Sequence, residues 1–547
     1  MLNLYQSARR AISGIALAAL WMGCGMQSPG LLLYYSIRPH STAEGSLAVS
    51  LRIDRFSPGF DTLTFYKCAV NFSAVSCKDG RGRSVSFRES GDCLALDLHD
   101  AVPPVTFGYT AAIGDRGRHG HQGGIFKDLV VFDGDHSLML PTAAMAASDD
   151  EIKKKIGRIT VACDVPRQWS ALVPFPAKRS GRVVTLVECP SYSAVCQLQQ
   201  SCYAFGRFES HSVRGSPAGL SLAVDPQCTE ALPEESRGGI LSLYAYYAGL
   251  FECEPADLTL LILRKHPADS AHIMGGVGLG AIATTFDPDQ PRDWELLSHR
   301  FFHVFFDTRV PVSWFRRKPN LWLLEGVATY YENVALGSLP DEIRRSLKID
   351  ASENFRSLAR RYVYLRIKEP RLAIAPMSEA TLRSPAGTEF LHYTQAPLVV
   401  KLLEDQGTAK FGGHDRILRF IIDNHKSMTT PQPLFSFAIT EDPEGFAGRY
   451  LLGSEMLQVG EISRGEEDPA AVVEQLNEFE RLIRSWIRVE DPGYNEVDSV
   501  SADGLSRVAA RAQAESVHFA DTAIEMRIEK MSPTVYGLLL KEALQSR

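Results

Sequence analysis

Two histidines and a glutamate near the middle of the chain have the types and spacing of a metal site. His299 and His303 stand four positions apart in the segment LLSHRFFHVFF. Residues at that spacing lie one above the other on a helix, so both imidazoles face the same side. Glu325 follows in LWLLEGVATYYEN, a second segment with helical spacing. Two imidazole nitrogens and a carboxylate oxygen can hold zinc while leaving a fourth position open, so the sequence predicts one Zn²⁺ on His299, His303 and Glu325.

One residue of this segment departs from the pattern of a zinc peptidase. The peptidase signature is H-E-x-x-H, in which the glutamate takes a proton from the metal-bound water. This chain has Arg300 at that position. A guanidinium group stays protonated at neutral pH and cannot act as a base. The sequence therefore predicts a metal site that has lost its general base.

The sequence leaves several roles open for Arg300. It could pair with Glu325 or Glu332 and form a structural ion pair without a metal. It could turn away from the metal, with Glu295 or Glu332 serving as a weak surrogate base. It could bind a carboxylate or another anionic group of a substrate beside a retained metal. The remaining interpretation is an inactive site that has drifted without acquiring a new role.

The first residues of the chain have the order of an export signal. Arg9 and Arg10 precede an apolar run, residues 11–23, that is too short to span a bilayer comfortably. We therefore expect residues 1–24 to be a signal peptide and the protein to be exported. Gly23 followed by Cys24 resembles a bacterial lipoprotein cleavage site. That pattern predicts a periplasmic protein or an outer-membrane lipoprotein attached through a lipid on Cys24, and simple export is the alternative.

Cysteine usage and charge agree with an exported protein that does not bind nucleic acid. All ten cysteines lie between Cys24 and Cys253, and an oxidising compartment would pair several of them. Cys68 with Cys77, and Cys196 with Cys202, are close enough in sequence for local disulfide loops. A formal net charge of -7 and the lack of a basic segment argue against a nucleic-acid partner.

The chain is too long for a single hydrophobic core and divides by composition into several segments. Residues 25–226 carry short β-branched and aromatic runs between turn residues, which is typical of paired sheets. Residues 227–345 hold the metal motifs, residues 346–458 are mainly helical, and residues 459–547 form an extension of unknown type. The predicted class is a multidomain α+β protein with a β-rich N-terminal domain and a helical C-terminal domain.

Two glycine-rich segments permit more than one interpretation. GDRGRHGHQGG carries His119 and His121, and a solvated turn is a better explanation of this H-x-H pair than a second metal site. HIMGGVGLGAIATTF, residues 272–286, is predicted to be a strand interrupted by glycines. Glycines in a strand mark the close approach of another backbone, such as that of a bound peptide.

The central motifs resemble those of the glycyl aminopeptidase family of gluzincin metallopeptidases, which are distant relatives of aminopeptidase N. That family shows a GG-L-E-H strand, an H-E-x-x-H helix and a W-x-x-E-G-x-x-x-Y-Y-E helix. LLSHRFFHVFF and LWLLEGVATYYEN match the two helices except at Arg300, whereas Gly278 and Leu279 replace the Glu and His of the strand. The resemblance extends over roughly residues 31–458.

This resemblance implies a thermolysin-like zincin catalytic domain, a zinc cofactor and a cleft for a peptide or protein. It also implies that Tyr393, in FLHYTQAPLVV, stabilises the oxyanion of the reaction. Two carboxylates of the family are missing together, at positions 278 and 300. The expected function is therefore an aminopeptidase-like homologue with impaired or altered peptide hydrolysis. The alternative is a pseudopeptidase, a non-catalytic protein that binds peptides or supports the cell envelope.

Overall fold

The structure is a computed structural model. It describes residues 30–452 and residue 457, except for 42–44, 57–60, 68–69, 92, 115, 118–119, 146–151, 153–154, 176, 189–190, 212–219, 256–257, 267–271, 279, 317–319, 353, 357, 360–361, 363–390 and 453–456. The predicted export signal, Cys24 and the extension 459–547 lie outside these residues. In the part of the chain that the structure describes, none of the helices combines the length and apolarity needed to cross a membrane.

The strands follow one another along the whole first half of the chain. In chain order they are β1 (Leu31–Ser41), β2 (Ser46–Arg55), β3 (Thr62–Tyr66), β4 (Asn71–Lys78), β5 (Phe87–Ser90), β6 (Cys93–Asp97), β7 (Val105–Ala112), β8 (Arg116–Gly117), β9 (Gly120–His121), β10 (Gly124–Ile125), β11 (Leu129–Asp133), β12 (Leu140–Pro141), β13 (Ile156–Asp164), β14 (Ser170–Leu172), β15 (Ala177–Ser180), β16 (Val183–Glu188), β17 (Cys202–Gly206), β18 (Glu209–His211), β19 (Leu220–Val224), β20 (Leu258–Leu263), β21 (Met274–Gly278) and β22 (Ala281–Thr285).

The helices are concentrated in the second half. They are α1 (Tyr192–Gln200), α2 (Glu234–Phe251), α3 (Pro291–Arg309), α4 (Leu321–Ala335), α5 (Asp341–Ser346), α6 (Ala396–Phe411), α7 (Arg416–Asn424), α8 (Gln432–Ala438) and α9 (Pro443–Ala447). Short 3₁₀ turns lie at Thr142–Met145, Pro226–Ala231, Ser313–Arg316 and Leu336–Ser338, and π-helical turns at Leu391–Gln395 and Gly448–Leu452. The distribution of strands and helices confirms the predicted α+β class, with a β-rich beginning and a helical later part.

The chain forms two compact units, each built from segments that are not contiguous. The first consists of Met1–Ala112, Asp135–Trp169 and Phe175–Gln199, and the second of Ile113–Gly134, Ser170–Pro174 and Gln200–Arg547. The boundaries at 226, 345 and 458 inferred from composition stay predictions.

The first unit is built from two sheets. One has the strand order β15-β16-β13-β1-β2-β7-β4, and the other has the order β12-β3-β6-β5. Strand β1 shows why these segments fold this way: Leu33, Tyr35 and Ile37 are buried and alternate with more exposed residues. A period of two places the apolar side chains on one face of a strand, where they form the core.

The second unit holds a sheet of order β18-β19-β20-β22-β21, in which β19, β20 and β22 are parallel and β21 is the antiparallel edge strand. A separate sheet of order β10-β11-β17-β14 contacts β21. Helix α3 packs between α2 and α4 in the core of this unit. Apolar residues make up most of its segment 294–306, which predicts a buried helix. Trp294, Phe301 and Phe305 are indeed 0% exposed.

The cysteines depart from the expected disulfide framework. Among the described residues the free cysteines are Cys77, Cys93, Cys163, Cys202, Cys228 and Cys253. Cys77 and Cys202 are thus free thiols here, and their expected partners, Cys68 and the side chain of Cys196, lie outside the described residues. Cys77, on β4, is buried opposite Phe107 of β7. Cys202, on β17, is buried opposite Asp133 of β11. Both thiols behave as small apolar core groups, because burial raises their pKa and keeps them protonated.

Candidate metal centre

The three predicted metal ligands lie together at the contact between α3 and α4. Nε2 of His299 is 3.0 Å from Nε2 of His303, which sits one turn further along α3. Oε2 of Glu325, on α4, is 3.4 Å from Nε2 of His299 and 3.6 Å from Nε2 of His303. Among the described residues, no other group of at least three His, Cys, Asp or Glu side chains is arranged to hold a metal ion.

This donor set fits a zinc ion. Zinc bound tetrahedrally with bonds of about 2.1 Å keeps its ligand atoms about 3.4 Å apart. The three distances at this site lie around that value. Two imidazole nitrogens facing each other at 3.0 Å are also unfavourable when both present lone pairs, so a proton or a cation between them is required. The geometry and the chemistry of the donors agree with the zinc site expected from the sequence.

His299 is bound on both sides of its ring. Its Nδ1 lies 3.0 Å from Oε2 of Glu332, while its Nε2 faces Glu325. Burial lowers the pKa of His299, but the hydrogen bonds to the two carboxylates outweigh it and raise this pKa to about 9. Without a metal, His299 therefore carries the proton that separates the donor atoms.

The other two ligands have the opposite tendency. The pKa of His303 is lowered, chiefly because its ring is buried. Burial raises the pKa of Glu325, but the neighbouring His303 and His299 outweigh burial and hold it well below its usual value. Glu325 is thus an ionised carboxylate and His303 a neutral imidazole, which are the forms that bind a metal.

Tyr393 joins the same group from a distant part of the sequence. It lies in the π-helical turn before α6, and its hydroxyl donates to Oε2 of Glu325 over 3.2 Å. Its ring centroid is 5.9 Å from that of His299. A phenol in this place can donate a hydrogen bond to an oxygen that gains negative charge beside the donor atoms. The structure therefore brings Tyr393 to the predicted metal ligands.

Arg300 points to a different part of the unit. It is 3% exposed, and its Nη1 donates to the carbonyl oxygen of Ala283 on β22 over 2.7 Å. Burial lowers the pKa of Arg300 to about 10, and the nearby carboxylate of Asp133 acts against this shift. Of the roles left open by the sequence, this geometry matches an arginine that has turned away from the metal ligands.

The two carboxylates considered as surrogate bases are held by other groups. Glu332 accepts from His299, and Glu295 accepts from Nη1 of Arg292 over 3.0 Å. Both side chains are buried. These hydrogen bonds already engage both carboxylates.

Gly276 of β21 allows another segment of the same chain to approach closely. A Cβ atom on Gly276, whose φ is +90°, would lie 2.8 Å from Cβ of Asp133 and 2.8 Å from the carbonyl oxygen of Gln200. Only glycine tolerates both this conformation and this proximity. The expected close approach of another backbone is therefore confirmed at Gly276, but that backbone is the chain's own, at residues 200 and 201, and not a bound peptide. Leu279 lies outside the described residues.

His121 corrects a second expectation. It is 5% exposed, its Nδ1 lies 2.6 Å from the carbonyl oxygen of Gly114, and its ring stacks on His266 with centroids 3.6 Å apart. A solvated turn is thus wrong for His121, because stacking and hydrogen bonding compensate for its burial. Its companion His119 lies outside the described residues.

The sequence reasoning missed Arg292 and Ser298, two residues of α3 beside the donor group. Arg292 lies seven positions before His299, a spacing that places both on the same helical face. Its Nη1 is 3.6 Å from Oε1 of Glu332. Ser298 lies directly before His299, where no pattern of residue types distinguishes it from a core serine.

Comparisons with known proteins agree with this fold. No protein-family model and no curated protein matches the sequence. Among solved structures, an aminopeptidase N family protein from Idiomarina loihiensis is similar with a TM-score of 0.53 and 14% identity, over 79% of this chain and 78% of that one. An M1 zinc metallopeptidase from Deinococcus radiodurans is similar with a TM-score of 0.42 and 16% identity, over 80% of this chain and 97% of that one. For yeast LTA4 hydrolase the TM-score is 0.46 and the identity 10%, over 91% of this chain and 79% of that one.

The chain therefore has the multidomain fold of the aminopeptidase N family structure.

Proposed function

We propose that this protein is an exported, aminopeptidase-like metallopeptidase homologue that binds one zinc ion through His299, His303 and Glu325 and is impaired in peptide hydrolysis. The observation that carries the metal proposal is the convergence of three donor atoms at 3.0–3.6 Å, with Glu325 ionised and His303 neutral. The shared fold with an aminopeptidase N family protein supports the peptidase ancestry. The order of residues 1–24 supports the export.

The residues around the donor group support binding of a peptide carbonyl more than its hydrolysis. A bound zinc ion would act as a Lewis acid toward a carbonyl oxygen. Tyr393 could then donate its hydrogen bond to that oxygen instead of to Glu325. The base needed to activate water is missing, because Arg300 is a cation buried against Ala283. A ligand could therefore be oriented and polarised without being cleaved efficiently.

The first experiment tests the metal. Purified protein equilibrated with zinc and then dialysed should hold one zinc ion per chain, measured by elemental analysis. His303→Ala should hold none under the same conditions. A wild type that retains no zinc would overturn the proposed metal centre.

The second experiment tests the impairment. Wild-type protein and Glu325→Ala are assayed on a library of peptides with N-terminal Gly or Ala. We expect wild-type turnover at the level of the Glu325→Ala background. Clear wild-type turnover that Glu325→Ala abolishes would contradict the loss of hydrolysis and would show that another group serves as base.

A second candidate function is a non-catalytic peptide-binding protein of the cell envelope. The burial of Arg300 favours it, because a site converted to structural use at its base position can still bind peptides. Zinc-dependent binding of the same peptides, measured by calorimetry in the absence of turnover, would support this function.

A further inference from the structure

A chain of charged residues holds His299 on the side of its ring that faces away from the donor group. Nδ1 of His299 is 3.0 Å from Oε2 of Glu332, whose other oxygen is 3.6 Å from Nη1 of Arg292. The side chain of Glu332 is 8% exposed and that of Arg292 is 27% exposed. Water therefore screens the carboxylate of Glu332 only weakly, and its hydrogen bond to the imidazole is strong.

A second set of contacts joins α3 and α4 close to the contact of His299 with Glu332. Oγ of Ser298 donates to the main-chain oxygen of Glu332 over 3.1 Å, and the hydroxyl of Tyr247 lies 2.9 Å from this Oγ. The Tyr247 hydroxyl also donates to the main-chain oxygen of Tyr331 over 3.3 Å. All these atoms are buried. Mid-helix carbonyls are normally satisfied within their own helix, so these additional bonds tie α4 to α3 and α2 where Glu332 meets His299.

We propose that Glu332, Arg292 and Ser298 are positioning residues of the metal centre. They hold the proton of His299 on Nδ1 and direct the lone pair of Nε2 toward the metal. A carboxylate that accepts from the free nitrogen of a ligating histidine fixes its tautomer and ring orientation. Arg292, whose Nη1 donates to Glu295, forms an ion pair with the second oxygen of this carboxylate, and Ser298 sets the register of the helix that carries it. This inference rests on the proposed zinc site.

Cobalt(II) tests the inference, because its visible absorption reports the geometry of its ligands. Glu332→Ala should weaken cobalt binding, measured by competition with a chelator, by about 10- to 100-fold and should change the absorption bands. Glu332→Gln keeps an oxygen that can accept from Nδ1, so it should recover part of the affinity and the wild-type bands. Arg292→Gln and Ser298→Ala should weaken binding in the same direction by smaller factors.

Two exposed positions provide matched controls. Arg309→Gln removes an arginine from the last turn of the same helix, and Glu342→Gln removes a surface glutamate of α5. Neither should change the affinity or the spectrum. Glu332→Ala protein that binds cobalt with wild-type affinity and wild-type bands would overturn the positioning role, whatever its folding stability.

A measurement without metal separates this inference from the proposed function. In metal-free protein, the Nδ1 proton of His299 should give a downfield, slowly exchanging NMR signal that Glu332→Ala removes. Failure of the wild type to bind cobalt or zinc would overturn the metal centre. Absence of the Nδ1 signal in metal-free wild type would instead overturn the hold of Glu332 on His299.

Discussion

Arg300 stands where the zinc-peptidase signature has its glutamate, and its guanidinium lies in buried surroundings that hold a positive charge. The guanidinium is buried, bonded to the carbonyl of Ala283 and close to Asp133 and Cys202. The sequence predicts the loss of the base, since Arg300 interrupts a recognisable motif. It does not reveal where the side chain points, because Ala283, Asp133 and Cys202 come from three distant segments. Restoring a glutamate at this position would therefore require changes in all three.

Arg300→Glu is predicted to lower the stability of the protein without restoring hydrolysis. It would place a carboxylate against the oxygen of Ala283 and near Asp133, which costs about 3–5 kcal/mol of unfolding free energy. Chemical denaturation measures the loss, and Arg309→Glu, an exposed position on α3, should change stability by less than about 0.5 kcal/mol. A stable Arg300→Glu protein that cleaves peptides would contradict this prediction.

Asp293 is predicted to give the protein a pH-dependent stability. Burial raises the pKa of its carboxyl to about 7, and burial lowers that of the neighbouring His272 to about 4. Their 3.4 Å contact has the length of an ion pair, but these two shifts make both groups neutral between pH 4 and 7. The neutral forms are favoured because the Asp293 side chain is only 1% exposed, and burial penalises charge.

The sign of the effect follows from the raised pKa. The folded state keeps the proton of Asp293 more strongly than the unfolded chain, so its stabilisation is complete below about pH 4 and is lost as the pH rises to about 7. Asp293→Asn should remove this contribution, of the order of a few kcal/mol, from unfolding free energies measured across that range. An identical pH slope in both proteins would count against a protonated Asp293.

At the scale of elements, local patterns predict where the helices of the metal site lie. They predict less well the residues at which these helices begin and end. Asparagine favours the position before a helix, and α4 does begin directly after Asn320, although the Asn320 side chain makes no capping bond. Helix α7 receives its cap from another helix. Both oxygens of the Glu404 carboxylate, on α6, accept main-chain N–H groups, from Arg416 at 2.8 Å and Ile417 at 2.9 Å. No local pattern predicts such a cap, because its donor and acceptor lie on different helices.

Glu404→Ala is therefore predicted to destabilise the junction of α6 and α7. It would leave two N–H groups at the start of α7 without acceptors, at a cost of about 1–3 kcal/mol. Asp405→Ala is the matched control, since Asp405 is exposed and pairs only at the surface with Lys401, which contributes less than about 1 kcal/mol. Urea denaturation should show the difference, and equal losses for the two variants would disprove the cap.

At the scale of the whole molecule, zinc should stabilise the second unit, which holds all three of its ligands. A ligand that binds only the folded state raises the unfolding free energy by about 2.7 kcal/mol at 100 times its Kd. Thermal unfolding with added zinc should therefore move to higher temperature, return with a chelator and be insensitive to zinc in His303→Ala. An unchanged wild-type transition at saturating zinc would contradict this expectation.

The overall class is predictable from the sequence because alternation of apolar residues in strands such as β1 is a local signal. Which segments make up each of the two units cannot be predicted in this way, because the segments of the two units alternate along the chain. Residues 113–134 belong to the second unit, which holds the metal site, although in the sequence they stand between two segments of the β-rich first unit. Sequence patterns report local periodicity, whereas the sheet of β11 and β17 depends on which distant strands meet.

The contact of Gly276 with Asp133 and with the main chain at Gln200 bears on how the protein is synthesised and dissected. Strands β11 and β17 pair with each other and contact β21, so this part of the second unit can form only after residues 129–133, 202–206 and 274–278 have all left the ribosome. The emerging chain must meanwhile keep its apolar strands from aggregating. A recombinant fragment that starts at residue 227 would contain every predicted zinc ligand. It would lack β11 and β17, however, and would expose the side of β21 that contacts them. Gene fragments meant to isolate the metal centre should begin before residue 113.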